Sequence, residues 1–200
     1  MQGVYSPEAY LDLEEKSKER HEYINGRIYA MAGASDDHIR IRVDTSSYFS
    51  QHTFSKACET FSNDMRVKVN KNNYFYPDIV IVCGDLRKDK RGNLLNPLVV
   101  IEVLSPSTQD YDLGAKLKAY LALPGLQEYL VIHQDKVQVT HYWRDEAGWR
   151  VEVVSELAGA VSLPSLGLSL PLGEAYKRVA FEPEEGGAFD DDTPPDGDEA

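Results

Sequence analysis

The chain has few of the features that would assign it quickly to a class. Only two of its 200 residues are cysteine, Cys58 and Cys83. They form no CxxC and no Cys/His spacing, which argues against a zinc site. Cys83 ends an apolar run and reads as a small buried hydrophobe. No apolar run approaches the roughly 20 residues needed to cross a membrane. The opening QGVYSPEAYLDLEE is too polar for a signal peptide. These absences lead to the expectation of a reduced, soluble, cytoplasmic protein. GxSxG, P-loop and Rossmann glycine patterns are also missing, so neither a serine hydrolase elbow nor a nucleotide fold is indicated. Basic residues are scarce as well: 21 Lys and Arg stand against 33 Asp and Glu, a formal charge of −12. Nine of those acids, and no Lys or Arg, lie in residues 182–200, so the charge of residues 1–181 is only −3. That balance neither excludes a nucleic-acid partner nor argues for one.

What is present suits a globular domain with a core, since 42% of the residues are hydrophobic and 27% charged. Residues 1–181 read as one domain, and 182–200 as an acidic, disordered tail. Ser6-Pro7-Glu8 signals a helix start, with a helix over 7–16. HEYINGRIYAMAG (21–33) predicts a hairpin, because Asn25-Gly26 favours a type I′ turn. Ser35 offers an N-cap to the following segment, whose IRIRV alternates like a strand while Ile39, Val43 and small residues follow a helical face. The cap favours a helix. Strands are expected over 63–69, 71–82 and 97–104, then a helix from about 109 to 123 stopped by Pro124-Gly125. A hairpin over 128–133 and 136–144 and a strand over 149–155 follow. Residues 163–176 end in a small helix or turn. The order predicts a mixed α/β or α+β fold, with strands in one mixed sheet flanked by helices.

The chemistry concentrates on Asp78, in FYPDIVIV (75–82), and Glu102, in PLVVIEVLSPST (97–108). An acid in a buried strand costs several kcal/mol unless it is paired, hydrogen-bonded or metal-bound. Two acids on neighbouring strands make an oxygen-ligand site for a hard divalent cation. Lys116, in DLGAKLKAYLALPG (112–125), borders the apolar stripe of Leu113, Leu117, Tyr120 and Leu121. Lys118 projects about 200° away around a helix, so only one of the two can face the acids. Two carboxylates, a cation and a lysine suffice for metal-assisted phosphodiester hydrolysis. Taken alone, each of these residues is as well explained as a strand-end acid or a solvated helix lysine; the combination is what carries weight. His38, Glu22 and Asp64 are weaker accessory candidates. Arg40, Arg42, Arg66, Lys68, Arg87, Lys88, Lys90 and Arg91 are candidates to track backbone phosphates, although a solvated face is the commoner role for each.

HEYINGRIYAMAGASDDH, FSNDMRVKV, YFYPDIVIVCGD, PLVVIEVLSPST and DYDLGAKLKAYLALPGLQEYLVI together resemble the Uma-two-type family of bacterial restriction-endonuclease-like proteins, within the PD-(D/E)XK nuclease superfamily. The resemblance runs from about residue 5 to 178. It implies a restriction-endonuclease-like core, a homodimer and a Mg²⁺-dependent endonuclease acting on DNA, with Mn²⁺ as a substitute. Carried over by residue, it implies Asp78 and Glu102 as metal acids. The superfamily's usual lysine position holds Leu104, and the resemblance implies Lys116 in its place. Glu22, His38 and Asp64 fall on further family positions. Two other readings stay open: a nuclease-fold protein acting as a binding or scaffold module, and a metal hydrolase of small phosphoesters.

Overall fold

The apolar runs divide among three sheets rather than the single sheet expected. The structure, a computed structural model, describes residues 4–31, 33–105 and 112–181, with Asp112 described in its backbone alone. The proposed acidic tail lies outside them. A first helix, α1 (Pro7–Glu14), is capped by Ser6, whose side chain accepts from the Ala9 amide. Strands β1 (His21–Ile24) and β2 (Arg27–Ala30) form the predicted hairpin. Asn25 and Gly26 both carry positive φ, 46° and 90°, as a type I′ turn requires. A Cβ on Gly26 would come within 2.6 Å of the Val4 side chain.

The ambiguous segment is helical. Ser35 accepts from the His38 amide at the start of α2 (Asp36–Thr53), and Ile41, Thr45 and Phe49 form its buried stripe. A 3₁₀ turn (Phe54–Lys56) ends in left-handed Ala57. It leads into β3 (Cys58–Ser62), a strand that the sequence reading missed. Next come β4 (Val67–Asn70) and β5 (Asn73–Phe75), then β6 (Ile79–Cys83) and β7 (Val99–Leu104). The start of the strand expected at 63–69 is instead a turn around left-handed Asn63, φ 74°.

The single strand expected over 71–82 is broken at Pro77. Proline has no amide hydrogen and cannot continue a ladder. Consequently β5 joins a four-stranded antiparallel sheet, β2-β1-β5-β4, while β6 joins another sheet. That second sheet has six strands in the order β10-β9-β8-β7-β6-β3, completed by β8 (Glu128–His133), β9 (Val139–Asp145) and β10 (Gly148–Val154). Only β7 and β8 run parallel; the other neighbours are antiparallel. A small hairpin, β11 (Ala160–Leu163) with β12 (Leu168–Pro171), and a short helix, α4 (Leu172–Ala175), close the chain.

The six-stranded sheet is covered on both faces. Ile79, Ile81, Ile101 and Leu130 pack with Phe49 of α2 and with Leu170 and Tyr176. Val80, Val100 and Val131 pack with Phe75, Tyr120 and Leu126. Cys58 and Cys83 lie directly opposite each other on β3 and β6 and form a disulfide. This corrects the reading of both as reduced thiols: an antiparallel register sets their Cα atoms only 4.0 Å apart.

The helix predicted over 109–123 is described from Asp112. It opens with a π-helical turn (Asp112–Lys116) and continues as α3 (Leu117–Leu121). Lys116 is 4% exposed, whereas Lys118 is exposed.

Candidate active site

The break at Pro77 puts Asp78 where the two larger sheets meet, at the entry to β6. On β7, Glu102 follows three fully buried residues, Val99 to Ile101. The main-chain N–H of Asp78 donates to Glu102 Oε2 at 3.4 Å, and Asp78 Oδ2 accepts from the Val103 N–H at 2.8 Å. The two carboxylates are thereby fixed relative to each other by backbone as well as side chain.

From the other sheet, β1 delivers Glu22, whose Oε1 accepts the Tyr76 N–H at 2.9 Å. Lys116 reaches in from the π-helical turn, a departure from regular helix of the kind often found at functional sites. Its Nζ lies 2.9 Å from Glu102 Oε1 and 3.0 Å from Glu22 Oε1, above the Phe75 ring. Glu22 and Glu102 are 5% and 3% exposed. Two acids this deep are tolerated because a cation lies between them.

His38 comes from the first turn of α2, where Ser35 orients the helix start. Its Nε2 is 2.9 Å from Asp78 Oδ1. Among the described residues its buried Nδ1 has no hydrogen-bond partner. One turn further along α2, Arg42 places Nη1 3.8 Å from the same Asp78 oxygen. Burial by itself would raise the Asp78 pKa. The His38 hydrogen bond and charge, the Val103 N–H and the Lys116 charge outweigh it and hold the carboxyl below its ordinary range. Tyr76 is pushed up to about 12, chiefly by burial, with the Glu14 charge adding to it and Arg66 opposing.

These groups line one cavity of about 720 Å³, whose walls include Glu22, His38, Asp78, Glu102, Val103 and Lys116. Five sequence-predicted residues therefore converge. Asp64 does not: its side chain is 70% exposed and pairs with Arg20, at 3.2 Å. The cavity also includes Arg20, Arg42, Asn63 and Tyr76. Of these the sequence reading had named only Arg42, and only as one basic residue among eight.

None of the other basic candidates lines the cavity. Arg66 leaves the set of phosphate-tracking residues altogether. It is buried, hydrogen-bonded to Asn93, the Tyr76 hydroxyl and the Arg91 carbonyl. Arg91 pairs with Asp12 and Glu15 of α1, Arg40 with Asp37, and Lys68 with Asp89. Arg87, Lys88 and Lys90 are exposed on the 84–96 loop.

Among the described residues no group of three or more His, Cys, Asp or Glu side chains stands in metal-holding geometry. The Asp78–Glu102 pair nevertheless fits Mg²⁺, which is commonly bound through one or two carboxylates and completes its shell with water and substrate phosphate. The donors are hard oxygens, which suit Mg²⁺ or Mn²⁺ rather than a softer ion.

A family model, Uma2, described as "Putative restriction endonuclease", matches residues 7–173. The chain belongs to the Uma2 family. Two curated relatives from Synechocystis sp. (strain PCC 6803) accompany that match. The uncharacterized protein slr1290 is 36% identical over 88% of this chain and 93% of its own length. The uncharacterized protein sll1609 is 34% identical over 75% of this chain and 85% of its own. The fold is that of a solved structure from Anabaena variabilis, titled "a putative nuclease belonging to DUF820". The TM-score is 0.71 at 21% identity, covering 86% of this chain and 97% of that one. The Uma2 match spans every residue of the cavity. Among the described residues of this Uma2 chain, no helix is long and apolar enough to cross a membrane.

Proposed function

We propose that the protein is a Mg²⁺-dependent endonuclease that hydrolyses phosphodiester bonds of DNA in the cavity between its two larger sheets. The observation that carries this reading is Lys116: a buried lysine, delivered by a helix, within 3.0 Å of two acids and in the same cavity as Asp78. It supports a lysine acting from outside the strand, at a position that Leu104 cannot fill.

Asp78 and Glu102 are the residues that would hold the cation, with the Val103 carbonyl beside them. When bound, the cation supplies charge compensation at the phosphate and lowers the pKa of bound water. The protein's own groups set the rest. His38 and the Val103 N–H lock the Asp78 carboxylate and keep it ionised. Glu22 and Glu102 keep the Lys116 ammonium aimed into the cavity, where it orients the attacking water and opposes charge growing on the phosphate. Tyr76, held by Glu14 through its hydroxyl at 2.9 Å, fixes Glu22 through its main-chain N–H.

Conversion of supercoiled plasmid to the nicked form, with and without Mg²⁺, tests the reading. Wild-type protein is expected to nick only with the metal, and Asp78→Ala and Glu102→Ala to lose about a hundredfold or more of that rate while remaining folded. Equal nicking by wild type and both variants would refute it.

A further inference from the structure

Four basic side chains meet the cavity, and they are not equivalent. Lys116 is held between two carboxylates, and the Nε2 of His38 is committed to Asp78. Arg42 is different. Its Nη1 donates to Asn63 Oδ1 at 3.1 Å, and among the described residues its Nε and Nη2 have no hydrogen-bond partner. The side chain is 18% exposed, so it is held by the wall while still open to the cavity. The hydrogen bond that anchors it is to an amide, and the Asp78 carboxylate, 3.8 Å from the same Nη1, lies beyond hydrogen-bonding reach, so the outer edge of the guanidinium stays turned to the cavity. A guanidinium presenting a planar pair of donors suits a phosphate.

Asn63 is itself pinned. It is left-handed, φ 74°, a conformation that Asn and Asp accept more readily than other side chains. Its main-chain N–H donates to the Asp78 carbonyl at 3.0 Å, and the Ser62 hydroxyl donates to the same oxygen at 3.2 Å. The next residue, Asp64, accepts from Arg20 Nε at 3.2 Å. One turn, tied to the backbone of Asp78, therefore orients two arginines that line the cavity. Arg20 is the weaker of the two, because its partner is charged and both side chains are exposed.

We propose that Arg42, oriented by Asn63, grips the phosphate of a nucleic-acid strand beside Asp78, and that Arg20, oriented by Asp64, makes a second and weaker phosphate contact. This deepens the endonuclease reading and rests on it for the identity of the ligand. Asn63 and Asp64 are positioning residues. The 63–64 turn sets where the strand lies relative to the two metal acids.

The test is binding of a short fluorescein-labelled single-stranded DNA with phosphorothioate linkages, followed by anisotropy in Mg²⁺ over a range of salt. Arg42→Gln is expected to weaken binding about tenfold. It should also lower the slope of log affinity against log salt by ~0.7, the signature of one lost phosphate contact. Asn63→Asp keeps the turn but places a carboxylate on Arg42, and should weaken binding several-fold. Arg20→Gln should have the smallest effect, about twofold to threefold. Unchanged affinity and slope in both Arg42→Gln and Asn63→Asp would overturn the proposal. So would weaker binding with an unchanged slope, because that marks a structural role. Asn63→Asp keeps the test valid should Arg42→Gln fail to fold. The two readings fail separately. A wild type that nicks plasmid while Arg42→Gln binds normally removes the role of Arg42 alone. Arg42-dependent binding without nicking removes the nuclease reading alone.

Discussion

Two clusters of buried charged side chains sit at opposite ends of the parallel pair β7 and β8, and the one around Glu102 lines the cavity described above. Glu102 lies near the carboxyl end of β7. Glu128 begins β8, opposite Val99. Glu128 is as deeply buried as Glu102. Its Oε2 takes His141 Nε2 at 2.7 Å and its Oε1 the Ser165 N–H at 2.7 Å, while His141 Nδ1 meets Glu152 at 3.2 Å and the ring stacks on Trp143. Every oxygen of Glu128 and both ring nitrogens of His141 are engaged with protein groups. At the other end, Asp78, Glu102 and Lys116 are also tightly paired, yet they line an open cavity with two arginines. Burial of charged side chains is thus common to the closed cluster and to the candidate site. What separates them is access, together with the position at the carboxyl ends of parallel strands, where α/β sheets bind their ligands.

The comparison can be broken most sharply at the residue central to each cluster, Lys116 at one end and His141 at the other. Lys116→Met leaves Glu22 and Glu102 facing each other in the interior, and should lower stability by about 3–5 kcal/mol in urea unfolding without metal. Mg²⁺ should restore part of that stability, but nicking should be lost. A variant as stable as wild type would mean that the two acids do not depend on Lys116. His141→Ala at the other end should cost about 3 kcal/mol by the same mechanism, with the nicking rate of the folded protein unchanged. Loss of nicking in folded His141→Ala would erase the distinction between the two ends.

The smallest effect concerns pH. His133, at the end of β8, has its pKa lowered by burial and by the Lys136 charge, with Asp135 opposing. The folded protein therefore holds this proton less tightly than the unfolded chain. Its contribution to stability is full above the ordinary histidine value and fades as the pH falls through the folded-state pKa. His133→Gln should flatten the pH dependence of the urea midpoint just below pH 6.5. An identical profile would show that burial of His133 has no energetic consequence.

Much of the candidate site was legible in the sequence because it is written in local signals. Pro77 before Asp78, an acid inside PLVVIEVLSP, and a lysine at the border of an apolar stripe each carry a physical cost that calls for a partner. The Ser35 cap correctly favoured a helix for 36–53, which is what aims His38 and Arg42 at Asp78. The rest depended on chain crossings. Pro77 marked a conformational restriction but not a change of sheet, so β5 and β6 read as one strand. Arg66 and Arg42 look alike in sequence; the fold buries one against Asn93 and opens the other to the cavity. Asn63 carried only a weak signal, an amide in a turn, and its role depends on a residue 21 positions earlier. Glu128 in EYLVIH satisfied the same test as Glu102, an acid against an apolar strand. The His141 contact across the sheet and the Ser165 N–H together reveal it as closed.

The most direct test of the central claim is a crystal of the protein soaked in Mn²⁺. The account predicts anomalous density between the Asp78 and Glu102 carboxylates, with Lys116 facing it and none beside Glu128, His141 and Glu152. Density at the Glu128 cluster instead, or no density between Asp78 and Glu102 at saturating Mn²⁺, would contradict it.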